Sequence, residues 1–198
     1  MAVTGSYQSE KGAPLLAGRI VYKAPAAPAV NVLMAATNLV TLAKTFTPTT
    51  QPVMPRNVTL TVVDTTLSLT GGTITVIGID VNGKSVSEVH TYTVAGLYTG
   101  AVAFALVKSV VTAFTGTVTG GADETVAIGV ADIFGIPVGI DGKLEEVFKF
   151  MHADADVAVL AASIDKVNGT YSVPAGQISN ADHDQGFCYT FKTRLPLF

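Results

Sequence analysis

PRNVTLTVVDTTLSLTGGTITVIGIDVNGKSVSEVHTYTV, residues 55–94, is the stretch that decides the fold. From Asn57 the side chains alternate. Val58, Leu60 and Val62 fall on one side and Asn57, Thr59 and Thr61 on the other, the two-residue period of a half-buried strand. Gly71-Gly72 breaks the pattern. A second β-branched run, residues 73–81, ends at Asn82-Gly83, a pair suited to the positive φ angles of a tight hairpin turn. A third strand, residues 85–94, runs back. The second run is apolar on both sides, with Ile74 and Val76 on one and Ile77, Ile79 and Val81 on the other. It fits either a central strand covered on both faces or a strand bulged near Gly78, and the covered strand is the preferred reading.

Beyond this core, residues 95–116 set helix-tolerant Ala101–Leu106 against strand-forming Val107, Val110, Val111 and Thr112. The reading is a short turn at residues 103–105 and then a strand. Gly120-Gly121 punctuates the chain before residues 125–130, where Val126, Ile128 and Val130 alternate. Another apolar run, residues 133–140, contains Pro137 and so belongs at an edge or a kink. Residues 143–150 alternate again, and residues 157–164 read as strand over helix. Asn168-Gly169 marks a turn before residues 171–173, and Gly186 opens a last strand, residues 187–193. Turn signals at this spacing predict an all-β fold, an antiparallel β-sandwich or barrel-like domain over residues 53–198.

Residues 1–52 read as an extended N-terminal arm. Ala24-Pro25-Ala26-Ala27-Pro28 has the spacing of an extended connector. Val30, Val32, Leu33, Met34, Leu39, Val40, Leu42 and Phe46 are nevertheless too apolar to be left in water. The arm is therefore expected to be ordered against the β domain or a neighbouring molecule, with a short strand or one helical turn in it.

Hydrophobic residues make up 48% of the 198 residues and charged residues only 14%, against about 25% charged in an average soluble domain. So apolar a surface implies a partner, in an oligomer or a larger assembly. A membrane-spanning helix is not expected, because residues 24–40 are broken by prolines and asparagines and residues 101–111 are too short. The N-terminus lacks the pattern of a secretory signal, so synthesis and retention in the cytosol are expected unless the protein leaves in an assembly. Charge is uneven along the chain. Up to residue 63, Lys11, Arg19, Lys23, Lys44 and Arg56 face Glu10 alone, and the remainder is acidic. The split suits either an arm lying on an acidic surface or simply scattered solvated charge.

Reacting groups are scarce. His90, His152 and His183 stand far apart and outside any zinc-binding spacing. The glycines of residues 116–121 join two strands, whereas a phosphate loop needs a following helix. Asp154-Ala155-Asp156 and Asp182-His183-Asp184 lack the loop and closing glutamate of a calcium site and read as solvated turns. Asp123-Glu124 and Glu145-Glu146 read as surface charge. Cys188 reads as a packed core residue. The expectation is a non-enzyme with no cofactor and no metal, and without the basic, aromatic face of a nucleic-acid binder. Asn57-Val58-Thr59 and Asn168-Gly169-Thr170 match glycosylation sequons but read as strand and turn residues.

Two stretches are similar to a known family. Arg56–Thr59, Gly72–Val76 and Asp80–Gly83, followed by Ser87, Glu88 and His90, resemble a pattern of small virion proteins encoded with the head genes of tailed bacteriophages. Residues 169–174 and 186–191 resemble the family's closing hairpin. The resemblance covers roughly half of the chain. It implies a head decoration (cement) protein made in the host cytoplasm, bound to the major capsid protein on the outer capsid surface and often clustered as trimers. On this reading residues 1–52 make the capsid or intersubunit contacts, with Arg19, Tyr22, Lys23, Val32, Leu33, Met34, Leu39 and Phe46 as candidates. The alternatives are a tail tube, fibre or baseplate component, or a carbohydrate-binding β-sandwich presenting Tyr92, Tyr98, Tyr171 or Tyr189.

Overall fold

A computed structural model describes residues 2–8, 14–22, 25–120, 122–137, 144–152, 155–157, 159, 163–173 and 185–192. The chain is all-β, as the turn spacing predicts. The described residues form fifteen strands and no α-helix. In chain order these are β1 (Ala2–Gln8), β2 (Pro14–Tyr22), β3 (Ala29–Asn38), β4 (Ala43–Phe46), β5 (Arg56–Asp64), β6 (Leu69–Ile79), β7 (Ser85–Tyr92) and β8 (Gly96–Phe104). There follow β9 (Leu106–Gly116), β10 (Glu124–Gly135), β11 (Leu144–His152), β12 (Ala155–Val157), β13 (Ile164–Asp165), β14 (Thr170–Ser172) and β15 (Gln185–Lys192). Two compact units emerge, a central one of Pro28–Asp132 and a terminal one of Met1–Ala27 with Ile133–Phe198. The divisions thus fall after residues 27 and 132, while residues 1–52 carry β1 to β4.

In the central unit β5 lies between β8 and β10, β3 pairs with β10, and a second sheet runs in the order β4-β9-β6-β7. The inward residues of both sheets share one core. Val58, Leu60 and Val62 of β5 meet Ile74 and Val76 of β6, Val107, Val110 and Phe114 of β9, and Val126, Ile128 and Val130 of β10. Several local expectations change. Strand β5 is more than half-buried, since Asn57 and Thr59 of its second face are buried as well, while Val63 farther along that face is exposed. Strand β10 is buried without interruption from Glu124 to Val130 rather than alternating.

Strand β6 begins at Leu69 and passes straight through Gly71-Gly72. It is central in its sheet, yet only one face is covered: Ile74, Val76 and Gly78 turn inward and Ile77 is exposed. The β6–β9 register shifts opposite Ile77 and Gly78 because β9 carries the extra residue, Lys108, while β6 pairs with β7 without a shift there; β6 is thus neither covered on both faces nor itself bulged near Gly78. The β6–β7 hairpin is also wider than a two-residue turn. The Asp80 N–H donates to the Lys84 carbonyl at 2.9 Å and the Gly83 N–H to the Asp80 carbonyl at 3.1 Å. Only Gly83 takes a positive φ, 79°. This is a turn closed by a glycine bulge, and the Asp80 carboxylate fixes it by accepting from the N–H groups of Asn82 and Lys84.

In the terminal unit an antiparallel sheet runs β1-β2-β15-β11-β12. The last residues of β10, Ile133 to Gly135, pair with β14, which pairs with β13. Aromatic rings fill this core. Tyr22 stacks on Phe134 at 5.4 Å between centroids, and Tyr171 meets Phe187 edge-on at 5.5 Å. The Tyr22 hydroxyl donates to the Gly135 carbonyl, which satisfies the polar end of a buried ring. Of residues 157–164, Val157 ends β12 and Ile164 begins β13, so no single strand spans the run. Asn168-Gly169 forms the expected turn, with Gly169 at φ 62°.

Candidate interaction surface

Strand geometry sorts the eight residues proposed from the sequence as contacts. Leu33, Met34, Leu39 and Phe46 belong to the core of the central unit, and Tyr22 to the aromatic core of the terminal unit. Their side chains are already covered by their own chain and offer no surface to a partner. Arg19 and Val32 stand exposed; Lys23 lies outside the described residues. Alternation explains the split, since Val32 precedes Leu33 on β3 and neighbouring side chains point to opposite faces.

The basic residues of the first third are partly used internally. Arg56 is buried, donates through Nε to the Ala131 carbonyl at 2.7 Å and lies 3.5 Å from the Asp132 carboxylate. Burial pushes its guanidinium below its ordinary value, and Asp132 opposes the shift. The Lys44 ammonium sits 4.8 Å above the Phe46 ring centroid and donates to the Asn38 carbonyl. Of the four tyrosines considered for sugar stacking, Tyr92, Tyr171 and Tyr189 are buried. Tyr98 is half-buried, with its hydroxyl bonded to the Val94 carbonyl.

The most unexpected groups are two buried carboxylates. Glu124 is 0% exposed, although Asp123-Glu124 reads as surface charge. Its Oε1 accepts from the hydroxyls of Ser68 at 2.7 Å, Thr66 at 2.9 Å and Thr119 at 2.5 Å. These hydrogen bonds, that of Thr119 foremost, outweigh the effect of burial and hold its carboxyl down to about 2. Asp64 at the end of β5 accepts from the N–H groups of Ser68 and Leu69, both at 3.0 Å, and from the Tyr92 hydroxyl at 3.3 Å. Together the two acids hold the residue 65–68 loop, where Leu67 is 75% exposed and takes a positive φ of 54°. A sequence signal existed in the hydroxyl-rich run Thr65-Thr66-Leu67-Ser68, but nothing local revealed that Glu124 faces it.

A third carboxylate, Glu88, closes an irregularity in β8. The β5–β8 register shifts between Asn57 and Thr59. Glu88 Oε1 accepts from the N–H groups of Ala101 and Val102 at 2.6 and 3.3 Å, while the Asn57 amide donates to the Gly100 carbonyl at 2.6 Å. Burial, the largest single influence, would raise the Glu88 carboxyl. His90 at 3.7 Å and the two N–H groups together bring it below its ordinary value. The Asn57 amide is thus committed to a backbone bond inside the fold. Cys188 is a free thiol and only half-buried, less enclosed than its strand neighbours Phe187 and Tyr189.

These polar groups act as fasteners of loops and bulges. No group of three or more metal-ligating side chains occurs among the described residues. No helix among them is long and apolar enough to cross a membrane. What the molecule offers a partner is its surface, where Val32, Val40, Val53, Val89, Val94 and Leu97 are exposed. Comparison with protein-family models, with curated proteins and with solved structures finds no match.

Proposed function

We propose that this chain is a structural virion protein of a tailed phage, a decoration or cement protein that binds the major capsid protein on the outer surface of the head. The observation that supports this reading is the exposed aliphatic surface on a β scaffold in a chain only 14% charged, joined to the head-protein sequence pattern in β5, β6 and the hairpin after it. A cement protein needs no reacting groups. It works by burying surface across joints between capsid subunits, and binding that exists only in the assembled shell adds to that shell's stability by mass action. The favoured assembly is a trimer, with Arg19 and Val32 the contact residues that remain at the surface.

The test is co-sedimentation of the purified protein with capsids stripped of accessory proteins. Saturable binding at a fixed ratio per capsid subunit, with a raised shell melting temperature, is the expected result. Absence of binding would sink the reading, and rings or stacked tubes formed by the isolated protein would transfer it to a tail component.

A further inference from the structure

The outward face of the β4-β9-β6-β7 sheet carries no charge along its paired rows. Val89, Thr75, Val111 and Thr45 stand side by side across all four strands. The rows on either side are built only from Ser, Thr, Ala and aliphatic residues. Val89 is 60% exposed, and Ile77 and Leu106 are partly exposed. The charged residues of these strands lie elsewhere. Glu88 and His90 share the parity of Val86 and Tyr92, which pack on the core. Lys44 leans on Phe46, and Lys108 sits in the bulge at one end.

An antiparallel sheet that meets only water normally shows polar and charged residues outward. Here the central rows are uncharged, with Lys108 at one end, and an interface core is likewise depleted of charge. The occupant that best fits is a second copy. The chain carries a net charge of −3, so identical molecules repel unless they meet where neither places charge, and on this face neither strands one. The area is also sufficient. At about 3.3 Å per residue and 4.8 Å between strands, the strand residues cover roughly 540 Å² on each copy. Two faces then remove about 1,100 Å², just above the ~1,000 Å² a specific interface needs.

We infer that this face packs against the same face of a second copy, related by a two-fold axis, whatever larger assembly the protein joins. A patch that pairs with itself closes at two. The inference does not rest on the virion reading. Its test is the mass of the intact protein in solution by light scattering, for the unaltered chain, for Val89→Glu and Thr91→Lys on this face, and for Val30→Glu on β3, which is exposed and pairs into the other sheet. Circular dichroism melts confirm that each variant is folded. Each face variant places an unpaired charge in the buried face and is expected to halve the mass and weaken association roughly 100-fold or more. Val30→Glu is expected to leave both unchanged. A monomeric unaltered protein at about 100 μM, or an assembly whose mass the folded face variants leave unchanged, overturns the inference.

Discussion

At the residue scale, the acid that looks most dispensable in the sequence is deeply committed in the fold. Glu124 is held down to about 2 by the hydroxyls of Thr119, Ser68 and Thr66. Its folded value lies below the ordinary carboxyl value of 4.5, so its stabilising contribution is present above that pH and is lost as pH falls toward 2. Glu124→Gln is therefore expected to lower the melting temperature at pH 7 by roughly 5 °C or more. The gap from the unaltered protein should narrow steadily below about pH 4.5 in a melting series. A gap independent of pH would show that the side chain acts by packing alone. Leu67 presents the opposite case. It is well exposed yet occupies the left-handed region, which costs a side chain with a Cβ about 1–2 kcal/mol and which Asn tolerates better. Leu67→Asn is expected to stabilise the protein by about 0.5–1 kcal/mol in urea unfolding.

At the scale of elements, the β5–β6–β7 core was legible because its signals are local: alternation of Val58, Leu60 and Val62, and glycine at the hairpin. The bare outer face of β6 was not legible, since an apolar pair such as Ile77 and Ile79 has the same letters whether its face is covered or bare. What decides is the neighbour. A Cβ on Gly78 would run into the Leu106 carbonyl and lie 2.7 Å from Phe104 Cδ1. Gly78→Ala is thus expected to cost about 1–3 kcal/mol, read as a lower urea midpoint with unchanged slope. Burial of Glu124 and the strand character of residues 1–22 were not legible for the same reason. Arg19 pairs with Cys188, and no local window spans a partner that far along the chain. Among the proposed contact residues, apolarity marked Leu33, Met34, Leu39 and Phe46 correctly as needing cover, but not that their own unit supplies it.

At the scale of the whole molecule, the central unit is one continuous stretch with its own core, and every residue of that core lies between Leu33 and Val130. Residues 28–132 expressed alone are expected to melt cooperatively by circular dichroism, and a broad, featureless melt would refute the self-sufficiency of this core. The strand pairs of the unit carry one more consequence. Ala29 pairs with Val130, so its two ends are clasped together. The terminal sheet can close only after β15 has been made, because β15 lies between β2 and β11. By then the ribosome has already released a central unit able to fold, and that folding has converted a loop of over a hundred residues into a few. Loop closure depends logarithmically on length, so shortening the open chain between Arg19 and Cys188 from roughly 170 residues to roughly 65 lowers the entropy opposing their meeting by about 0.8 kcal/mol. Synthesis order thereby favours folding of the inserted unit before the first and last strands can pair.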